Sequence, residues 1–203
     1  MKIAILGAGS VGGTLGGRWA SSKKHEVVFG LREGSARELP PGASSASVPK
    51  AVAGAEVVVL ATPWPAVPDA LRSAGDLSGK VLLDATNPLG AGMKLDVGPN
   101  GESGAERIAA LAPGARVVKV FNTTGFGNMA DPSYGGEPTV MFYAGDDAAA
   151  KDVARQLAVD LGFDAVDAGG LERARQLEHL AALWIGLAYG GHGRDIAFRL
   201  VRR

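Results

Sequence analysis

The chain has 203 residues, of which 30 are glycine, and its hydrophobic fraction of 46% is typical of a globular protein and argues against a disordered one. It carries 21 basic and 21 acidic side chains, so it lacks the basic surplus that nucleic-acid-binding proteins usually show. It has no cysteine, which excludes a disulfide framework and a cysteine-based metal site, and the surplus of glycine is left as the feature to explain.

Short apolar segments alternate with helical patterns along most of the chain. The segments rich in Val, Ile and Leu do not alternate with polar residues, as expected for strands of a parallel sheet that is covered on both faces. The predicted strands are residues 2–6, 26–29, 56–61, 80–85, 116–121, 139–144 and 163–167. The predicted helices between them are residues 11–21, 49–53, 65–73, 105–111 and 148–161. This alternation predicts an α/β fold with a Rossmann-type doubly wound, mostly parallel sheet.

The pattern changes after residue 168. A long helical stretch at residues 171–189 is followed by a glycine break and a last apolar segment at residues 196–201. We therefore predict a dinucleotide-binding Rossmann domain over residues 1–168 and a short helical C-terminal appendage of the same domain over residues 169–203. Residues 86–104 form the longest stretch without predicted structure, and loops of this kind are commonly functional.

The apolar stretches also indicate the setting of the protein. The N-terminal apolar run is too short for a signal peptide, and no cleavage pattern follows it. The longest apolar stretch, residues 180–191, is shorter than the roughly 20 residues that a membrane-spanning helix needs. We therefore expect a cytoplasmic protein that binds a small molecule and neither a membrane nor nucleic acid.

A glycine-rich loop directly follows the first predicted strand and opens the first predicted helix. Gly7, Gly9 and Gly12 fit the pattern G-x-G-x-x-G, which in this context is typical of dinucleotide binding. In that pattern the first glycine allows a tight turn, the second lets a pyrophosphate approach the backbone, and the third lets helix and strand pack closely. The amides at the helix start, at Ser10 and Val11, would face the phosphates. The alternative is a tight turn with no ligand.

The end of the second predicted strand favours NADP over NAD. NAD-specific sites place a carboxylate there, whereas here Leu31 is followed by Arg32, where a 2′-phosphate would lie. A guanidinium can pair with that phosphate through two hydrogen bonds. Ser35 and Arg37 are candidates to complete the pocket, and Glu33 is a candidate to neutralise Arg32 in part. The alternative is that Arg32 is an ordinary surface arginine.

Three further strand ends carry the remaining candidate residues, because open α/β sheets bind ligands at the carboxyl ends of their strands. These ends are ATPWP at residues 61–65, DATNPL at residues 84–89 and FNTTGF at residues 121–126. They offer amides, hydroxyls and carboxamides, although Thr-Pro and Asn-Pro are also common turn formers. The candidates are Thr62, Pro63, Trp64, Asn87, Pro88, Leu89, Asn122, Thr123 and Thr124.

No general acid of the kind that alcohol dehydrogenases need is evident. His25 precedes the second strand, where packing is its expected role, and His192 lies in the glycine break. His179 is a site candidate with an equally good structural alternative. Lys119 lies inside an apolar strand, so it is either catalytic or an edge residue whose amine reaches solvent. We predict no catalytic side chain and no metal, because hydride transfer to a flavin or deazaflavin requires neither.

With these residues in place, the chain resembles the F420-dependent NADP oxidoreductase family. It is also similar to the cytosolic NADPH domain of the STEAP metalloreductases. The matching segments, in chain order, are GAGSVG at 7–12, HEVVFGLR at 25–32, ATPW at 61–64, DATNPL at 84–89, KVFNTT at 119–124, AGDD at 144–147 and DAGGLERARQLEHLAALW at 167–184. Together they span nearly the whole chain.

The resemblance implies a cofactor and a place for it. NADPH would bind along residues 7–12, with its 2′-phosphate at Arg32 beside Leu31. The residues implied to contact the rest of the cofactor are Thr62, Pro63 and Trp64 on the adenine side and Asn87, Pro88 and Asn122 near the nicotinamide. The family commonly has a second basic residue shortly after the arginine, and this chain departs from it with Ser35 and Arg37.

The resemblance also implies an acceptor. The family passes hydride to coenzyme F420 or, in relatives, to a flavin, so FMN, FAD and F420 are the expected co-substrates. The long helix around Glu178 and His179 would help to form the wall of the acceptor pocket. The residues expected to contact the acceptor are Leu89, Asn122, Thr123, Thr124 and His179. Dimers are usual in the family, so a homodimer is expected.

Two other functions stay open from the sequence. The protein is an alternative candidate for a reductase of a small carbonyl or imine, with Lys119, His179 or a threonine hydroxyl as proton donor. It is also a candidate for a non-catalytic NADPH-sensing module, given its shortage of catalytic groups. The leading hypothesis is an NADPH-dependent oxidoreductase that acts on a flavin or deazaflavin.

Overall fold

The computed structural model describes residues 1–32, 34–35 and 37–203. The strands are β1 (Lys2–Leu6), β2 (Glu26–Leu31), β3 (Ser44–Ser47), β4 (Val57–Leu60), β5 (Val81–Asp84), β6 (Arg116–Lys119), β7 (Ser133–Tyr134), β8 (Glu137–Pro138), β9 (Val140–Gly145) and β10 (Asp164–Asp167). Within the described residues, eight of them form one sheet in the order β10-β9-β6-β5-β4-β1-β2-β3. The predicted doubly wound, mostly parallel sheet is confirmed.

The direction of the strands reverses once across the sheet. Neighbouring strands from β3 to β6 run parallel, whereas β9 runs antiparallel to β6, with Lys119 opposite Ala144. β10 is parallel to β9. The carboxyl ends of β1, β4, β5 and β6 therefore meet at one edge of the sheet, and the loops that follow them form what we call the cleft.

Helices cover both faces of the sheet. They are α1 (Ser10–Ser21), α2 (Val48–Ala53), α3 (Val67–Ala74), α4 (Gly104–Leu111), α5 (Phe126–Ala130), α6 (Ala148–Leu161) and α7 (Ala174–Leu187). Alternate residues of β1 show how the core divides, because successive strand side chains point to opposite faces. Ile3 and Ile5 join the apolar cluster under α1 and α6, whereas Ala4 and Leu6 join the cluster under α2, α3 and α4.

Several helix ends lie where local sequence predicts them. The α6 helix matches its predicted range, because the Asp147 side chain accepts a hydrogen bond from the Ala150 amide at 2.7 Å and Gly162 ends the helix with φ +101°. The α4 helix begins with a capping box between Ser103 and Glu106. The predicted helix at 65–73 is divided into a 3₁₀ turn, Trp64–Ala66, and α3.

The C-terminal segment joins the main core. Residues Leu171–Arg173 form a 3₁₀ turn before α7, and a π-helical turn, Ala188–His192, follows it. Leu171 and Ala174 belong to the cluster on the α4 face. The apolar segment 196–201 has no regular secondary structure, and the Phe198 carbonyl accepts a hydrogen bond from the Val140 amide at 3.1 Å. A division at residue 168 stays a prediction.

Some elements were not predicted from sequence. The β3 strand is made of small, mostly exposed residues at the edge of the sheet, and β7 and β8 form a short separate hairpin. The loop 86–104 contains a 3₁₀ turn, Ala91–Met93, and a bridge between Leu89 and Leu95. In the described part of the chain, no helix combines the length and hydrophobicity that crossing a bilayer would require.

Candidate functional site

The glycine loop is shaped by the protein's own packing at two positions and is open at the third. Gly7 has φ +113°, and a Cβ there would lie 2.9 Å from the Thr62 amide nitrogen. A Cβ on Gly12 would overlap the Gly7 carbonyl oxygen. In contrast, a Cβ on Gly9 would meet no atom within 4 Å among the described residues, and Gly9 is exposed. The loop thus leaves free space at the position where a pyrophosphate approaches the backbone in the dinucleotide-binding pattern.

The start of α1 is suited to an anion. Gly9 is the N-cap and supplies no capping side chain, and the first turn, which begins with Ser10 and Val11, contains no acidic residue. The amides of this turn therefore point their partial positive charge toward the cleft. Such an end of a helix is a common binding place for phosphate groups.

Two basic residues follow β2, and one of them reaches this loop. Arg32 is exposed directly after β2, and its carbonyl accepts a hydrogen bond from the Ser35 amide at 3.0 Å. The Arg37 guanidinium donates to the Ala8 carbonyl of the glycine loop at 3.2 Å. The structure therefore brings Arg37 to the loop. The predicted role of Glu33 falls on a residue outside the described ones.

The other predicted strand ends are neighbours at the same edge. Backbone hydrogen bonds continue past the strands, from the Ala61 amide to Leu6, from the Ala85 amide to Leu60, and from the Val120 amide to Asp84. Their lengths are 2.8, 3.0 and 3.0 Å. These bonds fix the loops after β4, β5 and β6 side by side, next to the glycine loop.

Two asparagines from separate loops form a reciprocal pair in the cleft. The Asn87 side-chain amide donates to the Asn122 carbonyl at 2.9 Å, and the Asn122 amide donates to Asn87 Oδ1 at 3.1 Å. Asn122 also donates to the Leu177 carbonyl of α7 at 3.2 Å. The buried Asn122 Oδ1 and Thr62 Oγ1 have no hydrogen-bond partner among the described residues. Buried polar atoms of this kind call for a ligand or an ordered water.

The backbone before Asn122 is held in an unusual conformation. Phe121 has φ +61°, in the left-handed region that bulky residues rarely adopt, and its ring is completely buried. That ring packs edge-on against Trp19 of α1, with a centroid distance of 5.6 Å. Such strain occurs commonly at functional sites, where the surrounding packing maintains it. Here the core holds the turn that orients Asn122.

The two threonines after Asn122 differ in their surroundings. Thr123 is buried, and its hydroxyl faces the Met141 sulfur at 3.9 Å. Thr124 is half-buried, and its hydroxyl accepts a hydrogen bond from the Asn128 amide at 2.7 Å. A contact of either residue with an acceptor stays a prediction.

Trp64 connects the loop after β4 to the long loop 86–103. Its indole donates to Asp96 Oδ2 at 2.9 Å, and the Arg107 guanidinium lies 4.8 Å above its ring. The hydrogen bond from Trp64, together with Arg107, holds the pKa of the Asp96 carboxyl below its usual range. Sequence reasoning missed Asp96 and Arg107, because they lie far from Trp64 along the chain.

The edge position considered for Lys119 is wrong. The β6 strand lies between β5 and β9, and the Lys119 side chain is completely buried. Its amine contacts Asp84 Oδ2 and Glu178 Oε1, each at 2.9 Å. The sequence does not indicate that Asp84 and Glu178 meet Lys119, although Asp84 and Lys119 lie within two consecutive predicted strands and end β5 and β6.

The histidines lie outside this group of contacts. His179 is exposed on α7, and its Nδ1 lies 2.7 Å from the Arg175 carbonyl of the same helix, so its contact with an acceptor stays a prediction. The His25 side chain is buried, and its Nε2 lies 2.9 Å from Asp160 Oδ2 of α6. This contact agrees with a packing role for His25.

Comparison with known proteins identifies the family. A family model described as NADP oxidoreductase, coenzyme F420-dependent, matches residues 2–88. The chain is 33% identical over 227 residues to the F420-dependent NADP reductase of Methanothermobacter thermautotrophicus. The aligned region covers 98% of this chain and 94% of that protein. It is 31% identical over 180 residues to the metalloreductase STEAP3 of Rattus norvegicus. That aligned region covers 87% of this chain but 36% of STEAP3. The chain thus spans about a third of the STEAP3 length.

Solved structures agree with this result. A protein from Arthrobacter sp. FB24, assigned as an F420-dependent NADP reductase, has 37% identity and a TM-score of 0.88, with both chains covered completely. The reductive aminase from Aspergillus terreus, in complex with NADPH, has 21% identity and a TM-score of 0.68 over 93% of this chain and 62% of that one, which indicates a shared fold. The chain therefore belongs to the F420-dependent NADP oxidoreductase family, as its resemblance predicts, and is an NADP-dependent oxidoreductase with a Rossmann-type fold.

Proposed function

We propose that the protein transfers hydride between NADP(H) and a flavin or deazaflavin such as coenzyme F420. The observation that carries this proposal is the chemistry of the cleft end formed by Asn87 and Asn122, which offers carboxamides. Of the candidate proton donors, the two with ionisable side chains are placed away from the asparagine pair, since Lys119 is buried in ion pairs and His179 is exposed on α7. A flavin or deazaflavin fits such a cleft, because its ring delocalises the transferred charge and needs no proton from a side chain.

The residues present fit NADP(H). The open space at Gly9 and the uncapped amides of Ser10 and Val11 suit a pyrophosphate. Arg32 and Arg37 suit the 2′-phosphate, because arginine binds phosphate through paired hydrogen bonds.

At the other end of the cleft, the unpartnered Asn122 Oδ1 is suited to accept a hydrogen bond from a carboxamide. Asn87 and Pro88 would support the ring beside it. When bound, the nicotinamide supplies the hydride chemistry. The protein's own contribution is to bind the phosphates, to orient the ring and to exclude water.

Replacing Arg32 by alanine tests the placement of the 2′-phosphate. Hydrogen bonds to a charged group contribute about 1.5–3 kcal/mol, so we expect the Kd for NADPH to rise about 10- to 100-fold. The Kd for NADH should change by less than about threefold, as for a site that lacks that contact. Both constants are measured by isothermal titration calorimetry. The control is Arg72→Ala on α3, where the arginine pairs with Asp69 on the surface. An equal loss of affinity for both cofactors would show that the phosphate binds elsewhere.

Oxidation of NADPH with separate acceptors tests the reaction itself. We expect the nicotinamide absorbance to fall when FMN, FAD or coenzyme F420 is added to the protein with NADPH, with turnover by at least one of them. Small carbonyls and imines serve as comparison acceptors. Turnover with those alone, or tight NADPH binding without turnover of any acceptor, would contradict the proposal in favour of a carbonyl or imine reductase or of a sensing module. A homodimer and a cytoplasmic location stay predictions.

A further inference from the structure

A buried group of one lysine and two acidic side chains lies beneath the cleft, at the carboxyl ends of β5 and β6. The Lys119 amine is 2.9 Å from Asp84 Oδ2 and 2.9 Å from Glu178 Oε1, and it donates to the Thr86 carbonyl at 2.7 Å. Lys119 and Asp84 are 0% exposed and Glu178 is 3% exposed. We call Lys119, Asp84 and Glu178 the buried triad. Nothing in the proposed hydride transfer uses these groups directly.

The buried triad holds the residue that precedes Asn87. Asp84 Oδ1 accepts hydrogen bonds from the Thr86 amide at 2.9 Å and from its hydroxyl at 2.7 Å. Lys119 binds the carbonyl of the same threonine. Each polar group of Thr86 is therefore fixed, and the direction in which the chain continues into Asn87 is fixed with it.

The buried triad also reaches Asn122 through α7. Glu178 follows Leu177, whose carbonyl accepts the hydrogen bond from the Asn122 side chain. Glu178 in turn accepts hydrogen bonds from the Gly104 and Ala105 amides at the start of α4, at 3.0 and 3.2 Å. Through Thr86 and Glu178, Lys119 thus connects the loop that carries Asn87 to α7, which in turn binds Asn122.

Gly104 brings the same elements into close contact. A Cβ on Gly104 would lie 3.1 Å from Glu178 Oε1, 3.1 Å from the Trp64 ring and 3.2 Å from Pro88. Gly104 is therefore packed against both Glu178 and the loop after β5. A shift of Glu178 would act on Gly104, which it binds and which lies against Pro88, the residue expected beside the nicotinamide.

The charges of the buried triad are poorly explained by stability alone. Two carboxylates face one ammonium group, and the desolvation of buried ions offsets much of their attraction, so apolar side chains of similar size often serve a core equally well. The amides of α4 supply part of the missing positive charge. Burial lowers the pKa of Lys119, but Asp84 and Glu178 outweigh this effect and raise it above its ordinary value. The two carboxylates therefore favour the charged form of the amine, which they hold by direct contact.

We propose that Lys119 is a positioning residue for hydride transfer, which acts by fixing Asn87 through Thr86 and Asn122 through Glu178 and α7. The proposal rests on the proposed function, because it requires NADP(H) to bind with its nicotinamide beside the asparagine pair. Reacting atoms must be held in a narrow range of geometry, and a misplacement of about 1 Å can lower a rate about 100-fold.

The test compares the full-length protein with the variant Lys119→Met, which keeps a long side chain and removes the charge. The Kd is measured for NADP⁺ and for 2′-phospho-ADP-ribose, which lacks the nicotinamide. We expect the Kd of the fragment to change by less than about twofold, as for an independent site. The extra affinity of NADP⁺ over the fragment should be lost. The single-turnover rate of hydride transfer from saturating NADPH to whichever of FMN, FAD or coenzyme F420 the unaltered protein reduces should fall about 10- to 100-fold.

A matched control is Lys80→Met. Lys80 precedes β5 at the opposite edge of the sheet, and its amine donates to the Ala55 carbonyl at 2.9 Å. We expect this variant to keep both the affinity difference and the transfer rate. If Lys119→Met does not fold, the second variant is Glu178→Gln, which removes one charge with little change of shape. It should also leave the Kd of the fragment unchanged and remove the extra affinity of NADP⁺.

Two results would overturn the proposal. One is an equal loss of affinity for NADP⁺ and the fragment, which indicates a general structural role. The other is an unchanged single-turnover rate in a folded variant. If the unaltered protein does not bind NADP⁺, both this proposal and the proposed function are overturned. If the unaltered protein is active and the variant gives either of the two results above, only this proposal is overturned.

Discussion

Gly9→Ala is expected to weaken NADPH binding strongly while the protein stays folded. A Cβ at this position meets no described atom within 4 Å, and the backbone angles of Gly9, φ −82° and ψ −165°, suit alanine. The new methyl group would instead occupy the space that a pyrophosphate needs. Loss of two amide hydrogen bonds to a charged group, at about 1.5–3 kcal/mol each, corresponds to a rise in Kd of at least about 100-fold. Calorimetric titration with NADPH measures the Kd.

Stability provides the internal check on this variant. Alanine caps a helix less well than glycine, so the free energy of unfolding should fall by less than about 1 kcal/mol, as measured by urea denaturation without ligand. The control is Gly13→Ala in the next turn, where a Cβ also meets no described atom within 4 Å. It should retain NADPH binding. Retention of full affinity by Gly9→Ala would mean that no phosphate approaches this loop.

Gly12→Ala is expected to destabilise the fold itself. A Cβ there would overlap the Gly7 carbonyl oxygen and would lie 3.2 Å from Ile5 Cγ2, so α1 would have to move away from β1. Overpacking of a core costs about 1–3 kcal/mol, and the upper end is expected here because a backbone oxygen cannot rotate away. The urea midpoint of unfolding, measured without ligand, reports this loss.

The same control separates packing from helix propensity. Both variants place alanine in α1, where alanine is favoured over glycine by about 0.5–1 kcal/mol. Gly13→Ala should therefore match or exceed the stability of the unaltered protein, whereas Gly12→Ala should be less stable. Equal urea midpoints for the two variants would contradict the close approach of α1 to the glycine loop.

Much of the fold can be read from the sequence because its signals are local. The buried strands are continuous apolar runs, and the limits of α6 follow from Asp147 and Gly162. The β3 strand was missed because Ser44–Ser47 contains no apolar pattern, and its pairing with β2 comes from position in the fold. The antiparallel direction of β9 depends on how the chain returns to the sheet, which its composition does not encode.

The candidate site also has one part that the sequence predicts and one part that depends on the fold. The glycine loop is encoded in six consecutive residues, so its place between β1 and α1 could be predicted. The buried triad joins residues that are 35 positions apart at Asp84 and Lys119 and includes a third from α7, and only the register of β5 against β6 sets the first pair opposite each other. Sequence reasoning therefore found Lys119 as an unusual residue and could not find its partners.

The left-handed backbone at Phe121 makes the interior and the cleft mechanically dependent on each other. The conformation costs roughly 1–3 kcal/mol and persists because the buried ring is held in place by its neighbours, including Trp19. A substitution at Trp19 would therefore allow the turn to relax and Asn122 to rotate, although Trp19 belongs to the core of α1. During evolution of a new acceptor preference, the core position would be constrained as strictly as a ligand contact. Half-buried side chains such as Thr124 and Leu89 would be free to vary.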